Sequence, residues 1–353
     1  MNRRSAAIVV AFTLLVVGGA TAFFATVPYV RFLPGPTVNV LGEQTNGKPI
    51  VSVQGHKTYK TDGQLRMTTV RSTSAGSHIT LWSALRAWVE PDQGVYPYDS
   101  IYRDDTTSDQ EETAAHLEMV SSQDNAIAAA LTELGYHLDP VPAVLETIPG
   151  GAAEGKLHAH DLIVKINGER ITTENGVVKA ITKLKPGDHA KVDILRDRKA
   201  MSFDLVTQAA TDDPRRAVIG IYPGLSYRFP FDVHVNIPDE IGGPSAGLMF
   251  SLAIYDTLTP GSLTGGASIA GTGTIDEAGG VGPIGGIQQK IAGAEADGAK
   301  LFLVPPDNCD VAVLAKTHLE LVRADTMQSA LESIKKYVAN PDAKLPACPK
   351  VSS

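Results

Sequence analysis

Residues 242–247 read Gly-Gly-Pro-Ser-Ala-Gly, and residues 285–290 read Gly-Gly-Ile-Gln-Gln-Lys. The first stretch ends a strand in a glycine-rich turn and opens an apolar helix through Leu248, Met249, Phe250, Leu252 and Ile254. Ser245 therefore stands at a helix start, where free backbone N–H groups flank its hydroxyl and can stabilise an oxyanion. In the second stretch Ile287, Lys290, Ile291 and Ala294 recur at i, i+3, i+4 and i+7, which is one face of a helix. Lys290 thus belongs to an apolar face. Desolvation disfavours the ammonium form, so the lysine pKa falls and the amine can take a serine proton near neutral pH. Ser-Lys is an attested variant of the serine-nucleophile arrangement. Each residue also has an ordinary reading: a serine before a helix is an N-cap, and a lysine on an apolar face snorkels its head to water. Spacing alone leaves both open.

The chain has 353 residues, 43% of them hydrophobic, enough for two or three domains with cores of their own. A formal charge of −8 and the lack of a long basic run give no electrostatic reason to expect nucleic acid as a partner. The histidines are scattered and no zinc-type cluster occurs, so neither a metal site nor a cofactor is expected. Cys309 and Cys348 are the two cysteines. In an oxidising compartment they can pair, but sequence does not give their distance.

Between Ser5 and Val30 no residue is charged, and Arg3 and Arg4 precede the run. Its length suits one membrane crossing, and the positive-inside rule puts the N-terminus in the cytoplasm and everything after Arg31 outside. Ala20-Thr21-Ala22 also fits a signal-peptide cleavage site. The apolar run continues past it through Phe23, Phe24, Val27 and Tyr29, which favours a retained anchor. Both readings export the rest of the chain.

Four stretches in order carry a family resemblance: Phe231 to Pro238 (Phe-Asp-Val-His-Val-Asn-Ile-Pro), Gly243 to Gly247, Gly271 to Ile275 (Gly-Thr-Gly-Thr-Ile), and Pro283 to Lys290. Together with Leu301 to Asn308 they resemble the proteolytic domain of Lon, peptidase family S16. The resemblance implies that Ser245 is the nucleophile, Lys290 its general base and Thr272 a threonine beside the dyad. It also implies an oxyanion hole from the turn backbone at Gly243, Pro244, Ser245 and Ala246. Two positions depart from the family: the acidic residue usual before Gly-Pro-Ser-Ala-Gly is Gly242, and the glutamate after Thr-Gly is Thr274. His234, on the polar face of the alternating strand Val233, Val235, Ile237, could approach the site but is read as structural.

Earlier in the chain, Ile50 to Val53 and Leu65 to Val70 alternate as strands, and Ile79 to Val89 reads as a helix stopped at Glu90-Pro91. This order is similar to the beginning of the Lon proteolytic domain. Residues 93–112 are polar and read as an exposed connection, and Ala114 to Leu134 reads as a helix. Ile148 to Leu157 followed by Asp161 to Gly168 then resembles a bacterial PDZ domain, with His160-Asp161 in place of the usual Gly-Asp. That resemblance makes Val177 to Leu184 the groove helix. It places the carboxylate-binding loop of a peptide site at Leu134, Gly135, Tyr136 and His137. Near the C-terminus, Asp325 with Gln328 suggests a capping box before a helix that turns Met327, Ala330, Leu331, Ile334 and Val338 inward.

The expected architecture is mixed, α+β or α/β, with an N-terminal transmembrane helix and a PDZ domain inserted in or preceding a Lon-type proteolytic domain. The expected units are residues 1–30 (cytoplasmic end and anchor), 31–112 (first part of the Lon-like domain), 113–210 (PDZ with its leading helix), 211–340 (Lon-like domain) and 341–353 (flexible tail). Gly150 to Lys156 reads G-x-x-x-x-G-K, but Leu157 stands where a P-loop needs Ser or Thr, so no ATPase is expected. The expected function is an ATP-independent, membrane-anchored serine endopeptidase acting on unfolded or flexible extracytoplasmic proteins, with peptides also held by the PDZ groove and homo-oligomerisation left open. Two alternatives stand: an inactive PDZ scaffold that recruits a partner, and an α/β-hydrolase esterase using the G-x-S-x-G at 243–247 with His318.

Overall fold

The computed structural model describes residues 3–103, 106–238 and 241–349. Helix α1 (Arg3–Phe24) is apolar along its length, buries none of its residues and is long enough to cross a membrane. It is followed by β1 (Thr26–Val27), β2 (Tyr29–Asn39), β3 (Val51–Gln54), β4 (Gln64–Ser72), β5 (Ile79–Thr80), α2 (Leu81–Val89) and β6 (Gly94–Pro97). The long helix α3 (Ser108–Glu133) leads to β7 (Pro140–Thr147), β8 (Leu162–Ile166), β9 (Glu169–Arg170), α4 (Glu174–Thr182), β10 (His189–Arg196), β11 (Lys199–Val206), β12 (Gln208–Ala209), β13 (Ala217–Val218) and β14 (Ile221–Tyr227). The last part holds β15 (Asp232–Val235), α5 (Gly247–Leu258), β16 (Ser268–Gly271), β17 (Thr274–Ile275), β18 (Val281–Gly282), α6 (Ile287–Ala296), β19 (Leu301–Val304), α7 (Cys309–Ala312), β20 (Glu320–Arg323) and α8 (Met327–Ala339).

Two six-stranded sheets organise the chain. The first has the order β20-β19-β16-β4-β2-β6. Its centre is parallel, with Leu65 of β4 opposite Ile269 of β16 and Leu301 of β19 beyond it, while β2 and β6 add antiparallel. Strands from residues 29–97 and from residues 268–323 therefore share one sheet. The second has the order β11-β10-β8-β7-β14, with β9 on β8, and comes wholly from the intervening residues 140–227. Its own core includes Val144, Leu157, Ile163, Ile166, Val177, Ile181, Val192, Ile194 and Leu205. A sheet closed from both ends of the chain around an independently cored sheet is the topology of an insertion.

Helix α5 is apolar on every side because it is buried on every side, with Leu248, Met249, Phe250, Leu252, Ala253 and Ile254 all fully enclosed. Against it packs α3, whose Met119, Ala126, Ile127, Ala130 and Leu131 belong to the same core as Leu65, Met67 and Leu248. α3, read as the leading helix of the PDZ unit, thus spends its apolar face on the serine helix. A third core joins Ile287, Ile291 and Ala294 of α6 to Phe302, Val304, Cys309 and Cys348. α6 lies close on β2, for a Cβ at Gly293 would stand 2.8 Å from the Gly35 carbonyl oxygen.

Other expectations change as well. Residues 94–97, within the polar connection, form the edge strand β6, because Tyr29 to Phe32 offers them an open pairing side. α8 starts one residue later than read: the Thr326 hydroxyl accepts from Ser329 N–H at 3.1 Å and the Ser329 hydroxyl accepts from Thr326 N–H at 3.0 Å. Asp325 instead accepts from Arg323 Nε at 2.8 Å. The tail is tied down as far as Cys348. Cys348 is bonded to Cys309, Leu345 and Cys348 are buried, and the Pro346 carbonyl accepts from Arg323 N–H at 2.8 Å.

Candidate active site

The loop between β15 and α5 presents Ser245 just before the N-cap Ala246. Gly243 sits at φ 86°, in the left-handed region that favours glycine, and this turns the chain toward the helix. Helix α3 braces the turn from behind: Gly243 N–H donates to the Ala115 carbonyl at 2.8 Å, and the Ser122 hydroxyl donates to the Pro244 carbonyl at 3.0 Å. The approach explains Gly242, since a Cβ there would lie 2.8 Å from the Ala115 Cβ. Asp239 and Glu240 lie outside the described residues.

Lys290 enters from the first turn of α6. It is 2% exposed, and its Nζ lies 2.6 Å from Ser245 Oγ and 3.0 Å from Thr272 Oγ1. Thr272, fully buried at the end of β16, donates its hydroxyl to the Ser245 carbonyl at 2.9 Å. Burial pushes the Lys290 amine down to about 7. A neutral lysine amine keeps two N–H groups and one lone pair. One N–H serves Thr272, and the lone pair is then free to accept the Ser245 proton across the 2.6 Å contact.

Of the four turn residues read as oxyanion backbone, Gly243 has spent its N–H on Ala115, and Pro244 has none to give. The turn's remaining donors are the N–H groups of Ser245 and Ala246. A cavity of about 320 Å³ opens beside the dyad, lined by Pro36, Met67 to Arg71, Met119, Ile241 to Gly243 and Ser245. Met119, Ser122 and Ala115 of α3 and the β4 residues had no local motif to mark them. Their one signal in the sequence was Gly242, a glycine where the resembling family carries an acid.

Two histidines considered for the site lie elsewhere. His318 has a fully exposed side chain held by Glu295 at 2.9 Å, whereas the side chain that meets the Ser245 hydroxyl is Lys290. His234 faces Asp197 at 3.9 Å on the side toward the second sheet.

Residues 134–137, read as a peptide loop, lie against the proteolytic core. Leu134 and Tyr136 pack on the α5 core, the Tyr136 ring lies 5.7 Å from that of Phe231, and the His137 side chain is exposed. The second sheet also borders a cavity of its own. A cavity of about 530 Å³ runs between α4 and the β13–β14 segment, lined by Ile148, Val177, Val178, Ile181, Ile219 and Ile221. Strand β14 ends that sheet, paired to β7 on one side.

Comparison with known proteins agrees with this geometry. Residues 221–336 match the Lon protease (S16) C-terminal proteolytic domain, and residues 126–207 match a PDZ domain. The chain carries a Lon-type proteolytic domain and a PDZ domain. Among curated relatives it is similar to the Lon protease of Campylobacter jejuni (24% identical over 196 residues, covering 50% of this chain and 24% of that protein). It is also similar to Lon protease 1 of Bacillus subtilis (26% over 192 residues, 50% and 24%) and to the Lon protease of Campylobacter concisus (32% over 199 residues, 49% and 24%). The Lon-like chain thus spans about a quarter of the length of these relatives. Among solved structures, the PDZ domain of an SdrC-like protein from Listeria innocua is 28% identical, with a TM-score of 0.22, covering 24% of this chain and 93% of that one. The PDZ match stops short of β14, which the Lon match claims although it pairs with β7.

Proposed function

We propose that this chain is an ATP-independent serine endopeptidase using a Ser245–Lys290 dyad, anchored by α1 with the remainder outside the cytoplasm. The observation that carries the reading is a nearly neutral, fully enclosed lysine amine 2.6 Å from a serine hydroxyl at a helix start. Neutral Lys290 takes the Ser245 proton as the oxygen attacks a peptide carbonyl, and the resulting ammonium hands that proton to the leaving amine. The N–H groups of Ser245 and Ala246 face the developing oxyanion. Thr272 holds the amine toward the serine. In the second half, the same amine activates a water that releases the acyl group.

The cleft beside Ser245 follows strand β4 from Met67 to Arg71, which suits an extended, unfolded segment rather than a folded surface. The catalytic unit comprises residues 29–134 and 228–349, interrupted by the PDZ unit of residues 135–227, whose groove at α4 and β14 takes peptide segments. The direct test is cleavage of an unfolded protein without ATP by the full chain, Ser245→Ala and Lys290→Ala. Loss of roughly a thousandfold or more in both variants is expected. Equal cleavage by a variant and the unmodified chain overturns the dyad.

A further inference from the structure

Helix α2 is built inside out. It buries the small residues Ala84 and Ala87 and leaves Trp82, Leu85, Trp88 and Val89 at 54%, 40%, 64% and 84% exposure. These are the chain's two tryptophans, on one short helix and both facing outward. The position of this helix supplies the partner. β1, directly after α1, pairs with β5, directly before α2, with Thr26 opposite Thr80. The Leu81 N–H donates to the Ala25 carbonyl at 2.8 Å, so α2 starts where the apolar α1 ends. Phe23 and Phe24 at that end are exposed as well, and Tyr29 meets the Trp88 ring edge-on at 6.4 Å. Tryptophan and tyrosine gather at the headgroup level of a bilayer, where an amphipathic ring has one side apolar and one side wet, and an amphipathic helix rests there on its apolar face.

We propose that α2 is a membrane-surface helix that seats the proteolytic domain on the bilayer through Trp82, Leu85, Trp88 and Val89. The inference rests on α1 being a membrane anchor and goes beyond it: an anchor alone would let the domain swing on its connection, whereas a seated α2 fixes its orientation. Antiparallel β1–β5 pairing ties the two helices together across the surface. β2 then runs from the membrane end at Tyr29 to Pro36 at the catalytic cleft, a rise on the order of 20 Å. Seated in this way, the dyad faces chain segments emerging close to the membrane.

The test needs no label, because the only tryptophans are the two on this face. The full chain is reconstituted in phosphatidylcholine vesicles, and flotation is measured beside tryptophan quenching by phospholipids brominated near the headgroup and by aqueous iodide. Flotation, loss of most of the emission to brominated lipid and weak quenching by iodide are expected. The single-tryptophan variants Trp82→Phe and Trp88→Phe should each retain the lipid quenching. A chain that floats, yet whose emission responds to iodide and not to brominated lipid, overturns the seating while leaving the anchor standing. Protection from both quenchers means that a protein, such as a second copy, covers the face, and that also overturns it. Failure to float removes the anchor and the inference together.

Discussion

Lys290 is the residue at which stability and function pull apart. Its pKa is about 7 folded, and burial is the cause. An ordinary lysine titrates near 10.4, so between pH 7 and 10 the unfolded chain binds a proton that the folded chain does not. Stability therefore rises with pH through that window, and the full cost of burying the amine is present at and below pH 7. Lys290→Met should raise the melting temperature at pH 7 and converge on the unmodified chain near pH 10, as followed by thermal denaturation across pH. For the proposed activity the sign is the same by a different route: only a neutral amine can accept the serine proton. kcat/KM should fall about tenfold per pH unit below 7 and level off above it, and a profile flat through the acid range would exclude a lysine base. His160 shows the same exchange of local comfort for a contact. At φ 67°, where the resembling PDZ pattern has glycine, its ring reaches the buried Asp124 at 2.9 Å. Burial alone would lower its pKa, but the Asp124 and Asp161 carboxylates together outweigh that and raise it.

At the scale of elements, α3 decides the shape of the serine turn. Its Ala115 carbonyl holds Gly243, its Ser122 hydroxyl holds Pro244, and its Met119 lines the cleft. The same helix meets the PDZ side through Asp124 to His160, Asn125 to the Tyr227 hydroxyl at 3.3 Å, and His116 to Glu146 at 3.2 Å. Gly242→Val drives a side chain into Ala115, so the turn must withdraw from α3 and carry Ser245 with it. Displacements of this size from attack geometry cost on the order of 100-fold in rate. We expect kcat to drop by about that factor with the melting temperature changed little, read from steady-state kinetics beside a thermal melt. Ser122→Ala should lower kcat less, because it removes one brace and adds no clash.

For the whole molecule, the closure of the chain is covalent as well as topological. The Cys309–Cys348 bridge spans 39 residues and fastens the tail beside α6, the helix that carries Lys290. Closing a loop of that length in the unfolded state stabilises the fold by about 4 kcal/mol on chain-entropy grounds. Cys348→Ser should lower the unfolding free energy by about that amount in denaturant titration. A reductant should do the same to the unmodified chain and leave the variant unchanged. An equal midpoint for both chains under oxidising conditions would show that the bridge does not form.

The sequence by itself determined the proposed chemistry and where it would lie along the chain. The glycine turn before an apolar helix placed Ser245, the 3.6-residue repeat placed Lys290 on a buried face, and 26 uncharged positions after two arginines marked the membrane-length helix. These are short-range patterns, legible because each is fixed by neighbours within a few turns. Only the tertiary structure decided what long-range packing controls. It brought Lys290 to 2.6 Å from Ser245 across 45 positions, and it packed the apolar face of α3 on the serine helix. It also turned Leu134 and Tyr136 onto the α5 core, and it paired the two cysteines. The physical reason is common to all four. An apolar helix face or a strand edge states that it must be covered, and nothing within its own residues states by what.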